Sequence, residues 1–459
     1  MKRIVPNIKL RWALPAGAIA LAGAAIVLVV VLSQPGALPG QSPIAQQLSN
    51  AAAQRPVNRT DRLIWDTQEV LRENPNSVDS YAVLGAAYMQ KVRDTGDPSF
   101  YTKAQSVLDE ALKRDPQNVE ALIGAGTLAN ARHQFHEALQ LGEQAKAINP
   151  TVPRIYGVIA DAQTELGLYD DAVQTLQTMI DMRPDLSSYS RISYARELHG
   201  DMEGAIEAMQ AAVTAGGPAT ENSAWVRVQL ANLYFTQGDL AHAEQEYQRT
   251  LTLLPDYVYA QAGLGRVRAA QGKLDEAIGL YQSAIARMPL PEFVIALGET
   301  QQAAGHDAEA AKQYKLVRAM QQLFKVNGVD TDLELALFDA DHPSTDLRAG
   351  GQAPAATVAL ARDAYARRPS VKAADTLAWA LFKAGQTAEA RRYAGEALRL
   401  GTHDPLMLYH AGTIARAQGD SVAARDWLTR SLERNPSFSP LYAPLARQAL
   451  ANLSTAASK

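Results

Sequence analysis

Between Asp330 and His342 the chain gathers Asp330, Asp332, Glu334, Asp339, Asp341 and His342, groups able to hold a cation or move a proton. Carboxylates at relative positions 1, 3, 5 and 12 open like a calcium loop, which needs a glycine at position 6 for its sharp turn. That position is Leu335, inside the apolar run Leu333, Leu335, Leu337 and Phe338. The segment therefore reads as a helix whose first turn is rich in acids that favour its dipole. A cation-binding or enzymatic accessory centred on residues 330–354 is the alternative. His133 and His136, three apart, have no evident convergent ligands and read as surface histidines in an inter-helix turn. No nucleophile elbow, phosphate-cradling glycine loop or His-Glu-x-x-His helix occurs. With no Cys in the chain, disulfides, a thiol nucleophile and thiolate metal sites are excluded. The sequence predicts no enzyme, and neither catalytic residues, cofactor nor metal.

The elements that carry these residues are set by repetition. Prolines fall at Pro75, Pro116, Pro150, Pro184, Pro218, Pro255 and Pro289, separated by 41, 34, 34, 34, 37 and 34 residues. Ala138, Ala172, Ala243 and Ala277 stand twelve residues before four of them, with Ala205 thirteen before Pro218. Four residues after an alanine comes a larger side chain, as in Leu176, Met209, Tyr247, Tyr281 and Tyr314. The unit is a helical hairpin: two amphipathic helices, a small residue where they cross, and a proline that cannot continue the second helix.

These residues resemble the tetratricopeptide repeat family, which pairs Leu-Gly-x2-Tyr on a first helix with Ala-x3-Phe and a terminal Pro on the second. Leu84-Gly85 with Tyr88, Leu230-Ala231 with Tyr234, Ala243, Tyr247 and Pro255, and Leu264-Gly265 with Ala277, Tyr281 and Pro289 carry the match. Leu297-Gly298 with Ala310 and Tyr314, then Ala390, Ala424 and Pro436, continue it. The resemblance implies an all-α, right-handed superhelical solenoid of antiparallel helix pairs, with roughly ten units, enough to bury a continuous core. Two places depart from the pattern. About seven extra residues lie between Tyr88 and Ala104. After Tyr314 no proline arrives on schedule; a first helix is expected over Thr331–Asp341, then a loop from His342 to Pro354 before a second helix from Ala355 to Pro369.

In the family, positions 2, 5, 9 and 12 of each first helix face a concave groove that takes partner segments. Carried onto this chain, these positions imply Tyr194, Trp225, Asn232, Phe235, Tyr259 and Arg266, and a second group of Trp379, Phe382, Tyr409 and Arg416. Aromatics and Arg dominate interface hot spots, so a protein or extended peptide is the expected partner. A register error of one or two residues would place some of these side chains in the core instead. The family's carboxylate clamp is not reproduced, since Val228 stands at position 5 where Asn232 stands at position 9.

The N-terminus supplies an address. Residues 1–11 carry Lys2, Arg3, Lys9 and Arg11, and residues 12–33 form a transmembrane anchor with a charge-free core from Ala13 to Leu32, about 30 Å as a helix. The positive-inside rule keeps the N-terminus in the cytoplasm and sends the body outward, to the periplasmic side of an inner membrane. The rival is a cleavable signal peptide, whose apolar run is shorter and ends at a small-x-small site. Residues 34–60 read as a flexible linker, 61–327 as a first repeat array, 328–436 as a second with an irregular first repeat, and 437–459 as a capping helix and tail. Formal net charge is −4, and −8 once those four cations are set aside; nucleic-acid binding is not expected.

Overall fold

A proline's ring clashes with a helical preceding residue, so that residue is driven into extended backbone. Asp115, Asn149, Arg183, Leu254, Met288 and Asn435 each stand before a proline and end a second helix, with φ between −153 and −134° and ψ between 87 and 107°. The computed structural model describes residues 58–217, 220–343 and 355–457, and among these it holds 22 helices and no strand. The basic segment, the anchor and the linker to residue 57 lie outside the described residues. Among the described residues, no helix is long and apolar enough to cross a membrane.

Helix α1 (Arg59–Glu73) precedes ten hairpins. Repeats one to five are α2 (Val78–Thr95) with α3 (Ser99–Arg114), α4 (Val119–Ala131) with α5 (Phe135–Ile148), α6 (Pro153–Glu165) with α7 (Tyr169–Met182), α8 (Leu186–Leu198) with α9 (Met202–Ala215), and α10 (Glu221–Thr236) with α11 (Leu240–Leu253). Repeats six and seven are α12 (Val258–Ala270) with α13 (Leu274–Arg287), and α14 (Pro291–Ala303) with α15 (Asp307–Val326). Repeats eight to ten are α16 (Asp332–Asp341) with α17 (Ala355–Arg367), α18 (Val371–Lys383) with α19 (Thr387–Ala397), and α20 (Pro405–Ala417) with α21 (Ser421–Arg434). Helix α22 (Tyr442–Ala457) follows the last.

The alanine ladder is the crossing point of each hairpin: Ala138, Ala205, Ala243, Ala277, Ala390 and Ala424 have no exposed surface. In several repeats the larger side chain four residues after the alanine packs across the hairpin against a first-helix glycine. A Cβ on Gly298 would lie 2.6 Å from Tyr314, and one on Gly412 2.8 Å from Leu428. Extensive helix packing joins helices at most two places apart in the chain, as expected of a solenoid.

The two departures from the repeat meet one another. The extra residues after Tyr88 lengthen α2 to 18 residues, where α4, α6, α8 and α12 have 13. The missing proline lets α15 run to 20 residues, where α13 has 14. The added turn of α15 brings Phe324, with Val329 beyond it, into one core with Tyr88, Val92, Tyr101 and Leu128. Thr102 Oγ1 donates to Asn327 Oδ1 at 3.2 Å, and Asp330 N–H to the Arg132 carbonyl at 2.9 Å. Repeat seven thus closes on repeats one and two, and seven repeats make a ring.

Repeats eight to ten form a second tier above repeats two to five. Each contact joins an inter-helix turn, or the helix end beside it, to a linker or helix start six repeats further on. His133 Nδ1 donates to the Asp330 carbonyl at 2.7 Å, Val371 N–H to Tyr169 Oη at 2.8 Å, and Asn435 Nδ2 to the Phe235 carbonyl at 2.7 Å, across 197, 202 and 200 residues. The turns approach the linkers backbone to backbone. Gly167 and Gly238, at φ 75° and 83°, have no room for a Cβ: it would lie 2.5 Å from the Pro369 carbonyl oxygen and 2.8 Å from that of Arg434. Tyr169 and Leu198 of the ring share a small apolar cluster with Val371, Ala374, Ala397 and Met407 of the tier.

Candidate partner-binding interior

Winding the first helices inward brings side chains from opposite walls together. Arg93, on the added turn of α2, reaches Glu221 at the start of α10, Nε to Oε2 at 3.8 Å. Tyr257 Oη donates to Glu221 Oε1 at 3.1 Å, and burial, outweighing Arg93 and this bond, raises the Glu221 pKa. Beside it the Tyr259 ring lies 5.4 Å from Tyr257 and 5.6 Å from Phe293. Under the second tier, Tyr194 Oη donates to Glu165 Oε1 at 3.2 Å while Lys372 Nζ comes down to 4.8 Å from the Tyr194 ring centre.

Two carboxylates of this interior have no bonded cation. Glu197 is pushed up to about 7, first by loss of water around it, with Lys372 and Arg266 pulling down and Asp404 pushing up. Glu292 keeps more than a third of its surface open, yet the protein around it also pushes it up to about 7, and it is bonded only to its own backbone N–H. Asp161, pushed up to about 6 by burial, differs in being held by Arg191 Nε and Nη2 at 2.8 and 3.0 Å.

Of the groove residues implied by the resemblance, Asn232, Phe235 and Arg266 are brought together. Asn232 Oδ1 accepts from Tyr247 Oη at 2.6 Å and Arg266 Nη2 at 2.8 Å, and the Arg266 guanidinium lies 4.1 Å over Phe235. Phe235 itself is core, 3% exposed, and Trp225 is half-buried against the core of repeats two to five. Tyr194 and Tyr259 line the interior, as described.

The second group is corrected. Trp379 is 1% exposed, stacked 4.0 Å from His410 and 5.1 Å from Phe382, with Nε1 donating to Asp341 at 2.6 Å. Tyr409 is buried as well, stacked 5.2 Å from Tyr442 and tilted against Phe438 at 5.9 Å. The chain's own C-terminal segment covers the face that a partner would have used. Phe382 is half-buried in this cluster, and Arg416 stays exposed.

The acidic segment disperses rather than converges. Asp330 and Asp332 pair with Arg367 at 3.1 and 2.9 Å, Glu334 with Arg368 at 3.0 Å, and Asp339 with Arg318 at 2.9 Å. Asp341 takes the Trp379 indole, and His342 Nε2 lies 3.4 Å from Glu299. Among the described residues no three metal-ligating side chains converge. Residues 344–354 lie outside the described residues. His133 and His136 do sit at an inter-helix turn, but His133 is spent on the seam between tiers and His136 Nε2 lies 3.1 Å from the Arg367 carbonyl.

Models described as tetratricopeptide repeat match residues 96–153, 228–290 and 376–439, and a further one matches 129–193. The chain carries tetratricopeptide repeats. The stretch from 291 to 375, which no such model matches, holds the long α15 and the short α16, where the tetratricopeptide pattern gives way to ring closure. No curated protein matches the chain.

Among solved structures, the APC/C hetero-tetramer Cut9-Hcn1 is 15% identical over 86% of this chain and 83% of its own, with a TM-score of 0.39. A thermophilic TPR protein of Thermus thermophilus is 20% identical over 46% and 100%, with a TM-score of 0.35. The human IFIT1 dimer with PPP-AAAA is 14% identical over 85% and 80%, with a TM-score of 0.38. These likenesses concern the helical-repeat fold alone.

Sequence reasoning sought aromatics and Arg and so passed over Glu197 and Glu292, although they occupy positions 12 and 2 of their first helices. That register could have found them. Arg93 with Glu221, and Tyr194 with Lys372, come from repeats far apart in the chain, and no local signal pairs them.

Proposed function

We propose that the chain is a non-enzymatic tetratricopeptide repeat scaffold that holds a protein or extended peptide in its interior. We further propose that residues 12–33 anchor it in an inner membrane, with the repeats on the periplasmic side, serving an envelope complex. The observation that carries the interior reading is the pair of carboxylates, Glu197 and Glu292, that have no hydrogen-bonded cation and whose pKa values are raised by loss of water. Low-dielectric surroundings strengthen any hydrogen bond they accept, so a segment presenting lysine, arginine or free N–H groups gains most there. The address rests on the charge-free run from Ala13 to Leu32 and the basic residues before it. A site for cations at residues 330–342 is disfavoured, because its carboxylates are already paired with Arg318, Arg367 and Arg368.

The test is a photo-crosslinking residue placed at Tyr259, inside, or at Val422, 83% exposed on the outside. Capture of a discrete partner in envelope extracts from position 259 and not from 422 is expected; equal capture from both, or none, rejects the interior as the binding region. For the address, a reporter active only outside the cytoplasm and fused after Lys459 should be active. Activity of a cytoplasmic reporter instead rejects the topology.

A further inference from the structure

The seam between the ring and the upper tier is built differently from the interfaces along the chain. Most consecutive repeats share helix faces, and repeats seven and eight are joined by the cluster of Val294, Val317, Met320 and Phe338, whereas extensive helix packing never spans the seam, which is made of turns, linkers, hydrogen bonds and the small apolar cluster around Tyr169 and Val371. The glycines mark its course. Gly167, Gly200 and Gly238 sit in the inter-helix turns of repeats three to five at positive φ, and a Cβ on each would strike a carbonyl of the tier, at Pro369, Gly401 and Arg434. Gly272 and Gly305 hold the same turn position in repeats six and seven, at φ 77° and 82°, and a Cβ there would meet nothing within 4 Å. Left-handed backbone explains glycine in all five turns; contact with the tier belongs to three.

The seam also covers the interior. Lys372 stands next to Val371, whose N–H makes the seam bond to Tyr169, and Lys372 reaches in to Tyr194. Asp404, three residues past Gly401, lies near enough to Glu197 to raise its pKa. The tier is thus both a seam partner and a wall over Tyr194 and Glu197.

We propose that the seam is a clasp: repeats eight to ten lift from repeats two to five as a unit, with every hairpin intact, and this opening admits a bulky partner to the space around Tyr194 and Glu197. Sub-global opening along the weakest interface is the expected behaviour of a repeat structure whose extensive helix packing runs between neighbours in the chain. The clasp deepens the interior-binding reading and rests on it for its purpose, but its motion is measurable without any partner.

The chain has no cysteine, so Glu197→Cys introduces a single thiol under the tier. Its reaction with iodoacetamide and with a 5-kDa-class polyethylene-glycol maleimide, each compared with the same reagent on a thiol at Val422, reports small and bulky access. Expected in the parent is a bulky reagent slowed at least tenfold more than the small one. Tyr169→Phe, which removes the acceptor of the Val371 N–H and keeps the ring, and Gly200→Ala, which puts a methyl against Gly401, should each speed the bulky reagent about tenfold. Gly305→Ala, equally strained but facing open space, should leave it within about twofold, with melting curves confirming that each variant is folded.

Equal rates for both reagents in the parent mean that the interior is already open and overturn the clasp. So does a bulky-reagent rate that Tyr169→Phe leaves unchanged, or that Gly305→Ala raises as much as Gly200→Ala. If Gly200→Ala does not fold, Tyr169→Phe decides alone. A seam that opens while position 259 captures no partner rejects the binding reading and leaves the clasp standing; capture without opening does the reverse.

Discussion

Arg191 shows how a charge is kept inside a repeat interface. It is 7% exposed and satisfied by Asp161 on the preceding first helix and by the Ser187 carbonyl at 2.9 Å. Removing one partner of such a pair leaves the other uncompensated, so Asp161→Ala should cost about 3 kcal/mol or more in denaturant unfolding. Adding Arg191→Met should recover much of that loss; strict additivity of the two changes would show that the pair is not coupled. Glu292 behaves oppositely. Its folded pKa of about 7 lies above the ordinary 4.5, so the folded state holds its proton more tightly, and ionisation lowers stability increasingly as pH rises from 4.5 to 7. Glu292→Gln should therefore melt above the parent at pH 8, and the gap should close as pH falls towards 4.5. A gap independent of pH would mean that the carboxylate is not desolvated.

At the scale of the element, the hairpin is held by small-to-large packing at one crossing, and its tolerance is set there. Ala277 has no exposed surface and lies in one cluster with Tyr281, Ala284, Leu290 and Leu297. Ala277→Leu should overpack that crossing and cost about 1 to 3 kcal/mol in thermal or denaturant melts. The same substitution made at an exposed helix position should change little, and a neutral Ala277→Leu would mean that the crossing can relax. The elements that break the repeat are equally informative. The added turn of α2 supplies Arg93 to the interior, and that of α15 supplies Phe324 to the ring closure. An insertion in a repeat protein is here a contact made with a distant repeat.

For the whole molecule, closure turns a quasi-one-dimensional array into a body with long-range contacts. Phe324 is buried among residues of repeats one and two, so Phe324→Ala should cost about 3 to 5 kcal/mol. It should also enlarge the radius of gyration measured by small-angle scattering, because the ring loses its junction. Lost stability without any expansion would place the effect in local packing alone.

The sequence by itself determined the unit. Proline spacing, the alanine ladder and the Leu-Gly pairs act within about thirty-four residues, and helix formation, hairpin crossing and neighbour stacking are all decided at that range. The acid-rich first turn of α16 was legible for the same reason, as a local preference of a helix N-terminus. Register carried Tyr194, Asn232, Tyr259 and Arg266 to inward positions, but it could not tell Trp379 and Tyr409 that Phe438 and Tyr442 would lie over them. Only the tertiary structure decided that, together with the ring, the second tier and the pairing of Arg93 with Glu221. These depend on how a small rotation per repeat accumulates until residues some 130 to 200 positions apart arrive side by side, and no periodicity of a single unit contains that sum.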